Sequence, residues 1–289
     1  MKPLVKKCTS FAIAMLAVSA SAYALAAQPA QAPAVASASA STLRTSTERR
    51  YYDETAVAPR GIIENIYYAR KEQTYTLFEN LVPYYSNAYT SLTNTCGPVA
   101  GAIVVGYYDK FFEELIPNYV AYYASGRYKT NDSTHVPALI QDLYTRMRTN
   151  VDDVGVSESD CINGLTSYVQ STGRTISYTN IGHGNSLNHT LCNGAIAQGR
   201  PILLFCDNFS LYAFGQNDGY DDWTQLQTTG AHIGVAFGYI TVNYYDENDV
   251  LFRTDHHIEV ATGWTSNRFG YLNANDGSWL NNGYIVDIT

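Results

Sequence analysis

Hydrophobic positions along the chain change period part of the way through. Between residues 98 and 198 they recur at helical spacing, and beyond 200 they alternate. The run 98–115 mixes Val99, Ile103, Val104 and Tyr107 with Ala100, Gly101, Ala102 and Gly106, which predicts a buried helix approached closely by another backbone; Pro117-Asn118 ends it. Leu139, Ile140, Leu143 and Met147 make 136–147 amphipathic. The run 157–169 opens on Ser157-x-x-Asp160, a capping signal, and stops near Gly173. A further helix over 185–198 is closed by Gly199. The N-terminal half therefore reads mostly as helix. Strands follow at 201–206, 231–245, 250–263, 268–274 and 283–288, with a turn at Asp246-Glu247-Asn248-Asp249. The stretch 207–230 is polar and aromatic without a clear period, and reads as a long functional or mobile loop. Helices first and antiparallel strands later is the α+β pattern.

The first 47 residues follow different rules. Lys2, Lys6 and Lys7 precede an apolar run over 11–20, and Ala24-Leu25-Ala26 fits a small-x-small cleavage site, so 1–26 reads as a secretory signal peptide. The run is shorter than the ~20 apolar residues that span a bilayer. Residues 27–47 are Ala, Pro, Ser and Gln, a flexible linker or short pro-segment. Residues 48–289 then form one domain, with 27–90 open to a role as a pro-segment over a cleft. The expected location is secreted or periplasmic, and no membrane association is expected once the signal is gone.

Signal removal would delete three lysines and no acid, taking the formal net charge from −8 to −11. That balance argues against nucleic acid or anionic lipid as a partner, since both need clustered Lys and Arg. Only 15% of residues are charged and 25 are tyrosines, which excludes disorder for most of the chain.

One stretch carries chemistry: Asn94-Thr95-Cys96-Gly97-Pro98-Val99-Ala100-Gly101-Ala102. A cysteine at the mouth of a helix has its thiolate stabilised by the helix dipole and unpaired N–H groups. Gly97 leaves room for a substrate backbone, and the Cys96 N–H points toward an oxyanion formed there. The plainer alternative is a buried structural cysteine. This stretch, followed by Gly106-Tyr107-Tyr108-Asp109, resembles the nucleophile helix of papain-like cysteine peptidases, nearest to secreted bacterial proteins related to the bacteriocin-processing (double-glycine leader) peptidases. The resemblance covers roughly 90–275, and its specific parts are the Cys96 and His232 regions. It implies a helical lobe carrying Cys, a β lobe carrying His, and a peptide or protein substrate in the cleft between them.

Two histidines compete as the base. His232 to Tyr239 and His257 to Trp264 share the pattern His-Ile-x-Val-Ala-x-Gly-aromatic, and papain-like enzymes place their histidine six residues before such a Gly-aromatic pair. His232 follows Cys96 by 136 residues, inside the papain-type spacing of ~130–150, whereas His257 follows by 161. His232 is preferred, and His257 reads as a half-exposed strand residue. The orienting group is open among Thr262, Asn273, Asn275 and Asp276, with Asn273 favoured on side-chain reach. Papain relatives carry Gln six residues before the nucleophile; here Thr90 stands there, and Asn94 is the nearest amide, an oxyanion donor or a helix N-cap.

Three functional readings follow. The first is a thiol hydrolase, a monomeric cysteine peptidase using Cys96 and His232. The second is acyl transfer or deamidation on the same pair. The third is a non-catalytic secreted binding protein. No cofactor or metal is expected, because His256 and His257 would point to opposite faces of a strand. Cys161, Cys192 and Cys206 leave room for one disulfide, with Cys192–Cys206 a candidate.

Overall fold

The computed structural model describes residues 49–51, 61–77, 82–119, 122–124, 127–129, 134–217 and 219–289. The expected signal peptide (1–26) and linker (27–47) lie outside them. The strands are β1 (Arg50–Tyr51), β2 (Gly61–Tyr67), β3 (Arg70–Leu77), β4 (Tyr122–Ala124), β5 (Arg127–Lys129), β6 (Val156–Ser157), β7 (Ile176–Asn180), β8 (Ile202–Cys206), β9 (Phe209–Asn217), β10 (Tyr220–Thr229), β11 (His232–Tyr245), β12 (Leu251–Ala261), β13 (Phe269–Asn273) and β14 (Leu280–Ile288). The helices are α1 (Cys96–Asp109), α2 (His135–Arg146), α3 (Glu158–Ser171) and α4 (His189–Ala197). The class is α+β.

Every residue of α1 is buried, which explains its small residues. A Cβ on Gly101 would sit 2.8 Å from Met147 Cε, and one on Gly106 would sit 2.5 Å from the Tyr85 ring. α2 buries one face, Val136, Leu139, Ile140 and Leu143, against α1 and α3. Each such side chain contributes roughly 1.5–3 kcal/mol on burial. α3 starts as its sequence predicts: Ser157 Oγ accepts from the Asp160 N–H at 3.1 Å, a cap worth about 1 kcal/mol. The helix expected over 185–198 is shorter, a 3₁₀ turn at Gly184–Ser186 and then α4, because Asn188 Oδ1 accepts from Leu191 N–H at 2.9 Å and restarts the helix there.

Ten strands form one sheet organised on β11. One edge of β11 pairs with β12 from Val235 onward. The other edge is divided: His232 to Ala236 pair with β8, and Gly238 to Tyr245 pair with β3. From β12 the sheet runs through β13, β9 and β10 to β2. Only Tyr68 and Ala69 separate β2 from β3, and their N–H groups donate to Gly219 O and Tyr245 O at 3.1 and 3.0 Å. The sheet therefore curls until its ends meet, enclosing Ile66, Tyr68, Trp223, Ile240, Val242 and Tyr244. The larger core lies between the helices and β8, β11, β12 and β14.

Four expectations are corrected. Residues 207–230 hold the hairpin β9–β10 rather than a loop; its inward positions include Asp221, Trp223 and Gln225, so alternation exists but is not hydrophobic. The N-terminal half is less helical than expected, since β2 and β3 join the sheet, and 61–77 is therefore integral to the domain and no separable pro-segment. Cys192 and Cys206 form no bridge: Cys96, Cys161, Cys192 and Cys206 are all buried and in no disulfide. His257 is not half-exposed but 4% accessible.

One buried carboxyl ties pH to stability. Asp109, at the end of α1, accepts from Ile116 N–H at 2.8 Å. Burial, with Glu113 and Glu114 nearby, raises its pKa to about 7. The unfolded carboxyl ionises near pH 4, so folding loses stability as pH rises from ~4 to ~7. Asp109→Asn keeps the acceptor and removes that loss. It should stabilise the protein by about 1–3 kcal/mol at pH 8 and by little at pH 4, measured by urea denaturation. An equal gain at both pH values would refute the assignment.

Candidate active site

Cys96 is the first residue of α1, and His232 is the first residue of β11. The elements bring these two ends together. A Cβ on Gly97 would lie 3.4 Å from Ile233 Cδ1 and 2.7 Å from Val156 Cγ1, so the residues following Cys96 and His232 are in contact range. A Cβ on Gly263 would meet Val99 Cγ1 at 2.7 Å. Gly263 has φ +74°, so this turn requires a glycine twice over. Asn87 N–H donates to Gly263 O at 2.8 Å, and Thr265 Oγ1 donates to Asn87 Oδ1 at 2.7 Å. The segment before α1 is thus tied to the turn after β12.

His232 is 3% accessible, and its Nε2 lies 2.8 Å from the Thr262 carbonyl oxygen. A carbonyl only accepts, so Nε2 carries the proton and Nδ1 is the basic nitrogen of the neutral ring. The acceptor is held by its own residue. Thr262 N–H donates to Arg268 O at 3.0 Å, its Oγ1 donates to Asn267 O at 2.9 Å, and Trp264 N–H donates to that Oγ1 at 3.1 Å. Trp264 and Phe209 both pack against the imidazole, with ring centroids 4.5 and 5.8 Å away, and against each other at 6.1 Å. Trp264 closes the second His-Ile-x-Val-Ala motif, yet packs on the histidine of the first.

The other site residues fall elsewhere. Asn273 is the register partner of His257, and its Oδ1 accepts from Asn275 N–H at 2.9 Å, so the favoured orienter serves a turn. Asn275 Nδ2 donates to Asp255, and Asp276 caps the turn at Ser278. The group that His232 Nε2 meets is instead the main-chain carbonyl of Thr262, which side-chain reasoning could not find. Asn94 is not the N-cap, a position held by Thr95. Asn94 has φ +58°, and its Nδ2 donates to Asn150 Oδ1 at 2.9 Å. Asn150 Oδ1 also accepts from Gly155 N–H at 2.7 Å, and its Nδ2 donates to Tyr144 Oη at 2.7 Å. That hub, missed in the sequence, pins the 150–155 loop beside the start of α1. Thr90 Oγ1 accepts from Leu92 N–H at 3.1 Å and shapes the approach to α1.

The competing histidine has a different setting. His257 stacks on Trp223 at 3.8 Å and 11° inside the curled sheet. Burial, then Arg253 and His256, pull its pKa down to about 3. Neighbouring His256 points the other way, toward His189, 4.9 Å between ring centroids, and Thr241 Oγ1. Among the described residues no group of three or more His, Cys, Asp or Glu side chains is placed to hold a metal ion.

Thr262→Val keeps the carbonyl but removes the Oγ1 contacts with Asn267 and Trp264. It should slow alkylation of Cys96 and cost about 1–2 kcal/mol of stability, while Thr262→Ser restores both and Asn273→Ala leaves the alkylation rate within about twofold. A slow Asn273→Ala variant beside an unaffected Thr262→Val would reverse the assignment. No family model matches this chain, and no curated protein matches it.

Proposed function

We propose that this chain is a secreted papain-like thiol hydrolase, a cysteine peptidase in which Cys96 is the nucleophile and His232 the base. The observation that carries the reading is the Nε2–H bond of His232 to the Thr262 carbonyl, which leaves Nδ1 as the basic nitrogen at the sheet end that meets the mouth of α1. The helical part carrying Cys and the sheet carrying His are consistent with the two-lobed arrangement that the resemblance implies.

In the proposed reaction, His232 Nδ1 takes the Cys96 proton and the thiolate attacks a peptide carbonyl carbon. The Cys96 N–H, in the first turn of α1, donates to the resulting oxyanion. The intermediate collapses as His232 returns the proton to the leaving amine. Water, deprotonated by His232, then releases the acyl group and restores the thiol. The other three thiols among the described residues are kept out of this chemistry. Burial pushes Cys192 up to about 12, and burial also raises Cys161 and Cys206 well above an ordinary thiol.

Cys96→Ala should abolish proteolysis and labelling by a thiol-directed peptidase inhibitor. His232→Ala should lower turnover by about 10²–10⁴-fold, and His257→Ala should not if folding is retained. Proteolysis that persists in Cys96→Ala would overturn the reading. Amide exchange without chain cleavage, seen as product mass, would replace hydrolysis by acyl transfer.

A further inference from the structure

Strand alternation keeps His256 and His257 apart, but it leaves His256 facing a different element. His257 lies inside the curled sheet, so His256 is on the outer face of β12. There it meets His189, the first residue of α4, a helix that packs against β11. The two ring centroids are 4.9 Å apart and the planes are inclined at 31°. This is not a stacking contact of the kind His257 makes with Trp223, at 3.8 Å and 11°.

Each ring is anchored through the same atom. His189 Nδ1 lies 2.5 Å from Tyr239 Oη, and His256 Nδ1 lies 3.2 Å from Thr241 Oγ1. Tyr239 and Thr241 are alternate residues of β11, so they share one face of the sheet. The two nitrogens of an imidazole point in divergent directions. With both Nδ1 atoms turned to β11, both Nε2 atoms are turned away from it. Neither Nε2 has a hydrogen-bond partner among the described residues, and both rings are only half-buried.

These are the properties of a ligand pair. A histidine that binds a metal nearly always donates its other ring N–H to a fixed acceptor, which sets tautomer and ring plane. The hydroxyls of Tyr239 and Thr241 are such acceptors. The spacing agrees as well. A nitrogen about 2.1 Å from a zinc ion puts the ring centre about 3.2 Å away, so two rings at a tetrahedral angle have centres about 5 Å apart. Burial holds both imidazoles below their ordinary pKa, and His189 lowers His256 further. Both are therefore neutral at pH 7, the form that ligates metals.

We propose that His189 and His256 form a binding site for a divalent transition-metal ion of the zinc type, held by the two Nε2 atoms and completed by water. Imidazole suits Zn²⁺, Cu²⁺ and Ni²⁺, whereas Mg²⁺ and Ca²⁺ take oxygen ligands. Two protein ligands are fewer than the three or four of resident zinc sites, so the ion is exchangeable and keeps open positions. Bound there, it ties the first turn of α4 to β12. The inference does not depend on the Cys96–His232 reading.

The test is calorimetric titration of the full chain with Zn²⁺ in a non-chelating buffer, on a Cys96→Ala background that removes a competing thiol. The expected result is saturable uptake of one ion per chain. His189→Asn and His256→Asn keep an amide near the Nδ1 position and lack Nε2, and each should weaken binding by at least about tenfold. Tyr239→Phe, which releases the His189 ring, should weaken it by about tenfold. His135→Asn, on α2, should leave it unchanged. In NMR of the same protein, Zn²⁺ should move the Nε2 resonances of His189 and His256 and not that of His257. Absence of saturable binding would overturn the proposal. So would binding that survives both Asn substitutions, which would place the ion elsewhere.

Discussion

The double use of β11 is the constraint on which the other features rest. Its first five residues pair with β8 and belong to the helical end, while its last eight pair with β3 and turn Ile240, Val242 and Tyr244 into the curled interior. The strand shifts register against β12 between Ala236 and Gly238, where a side chain would strike Leu77 and Glu259. One strand therefore belongs to two cores of opposite character. The helical end is apolar and tight enough to bury all of α1. The curled end packs Ile66, Ile240 and Val242 beside the buried Lys71–Asp221 and Arg253–Asp255 pairs. His232 sits at the first end and Tyr244 at the second.

This arrangement also explains how rigid the candidate site is. α1 is locked by close contacts along its length, so the orientation of its first turn is set by packing rather than by a capping side chain. The turn at Gly263 is wedged against Val99, and the segment before α1 is bonded to the same turn. Displacing the imidazole would require moving Trp264, Phe209 and the Thr262–Arg268 loop together. Preorganisation of this kind lowers the cost of reaching a reactive geometry.

Much of this was legible in the sequence where one physical signal dominated. Ser157 and Asp160 announced the start of α3, Gly199 the end of α4, and the alternating run after Ala231 the central strand. Of the candidate site, the placing of Cys96 at the head of α1 and of His232 near the start of a strand was legible, and Thr262 stood among the residues considered beside His232. Legibility failed where the pattern was not hydrophobic. β10 alternates, but its inward residues are Asp221, Trp223 and Gln225, so a search for apolar periodicity passes over it. β2 and β3 bury little: Ile66 is the one buried residue of β2, while Ile62, Ile63, Tyr75 and Leu77 are exposed, so burial does not follow an apolar alternation there. Asn94 and Asn150 were illegible as a pair because 56 residues separate them and the bond depends on two left-handed backbone positions.

The orienting bond at Thr262 has an evolutionary corollary. A main-chain carbonyl is supplied by all twenty amino acids, so no coding change at position 262 removes the acceptor itself. Selection can act only on the shape of the loop that aims it. Drift in residue identity is therefore tolerated there to the extent that the loop keeps its path, whereas a deletion of one residue between Thr262 and Arg268 would disturb the alignment at once.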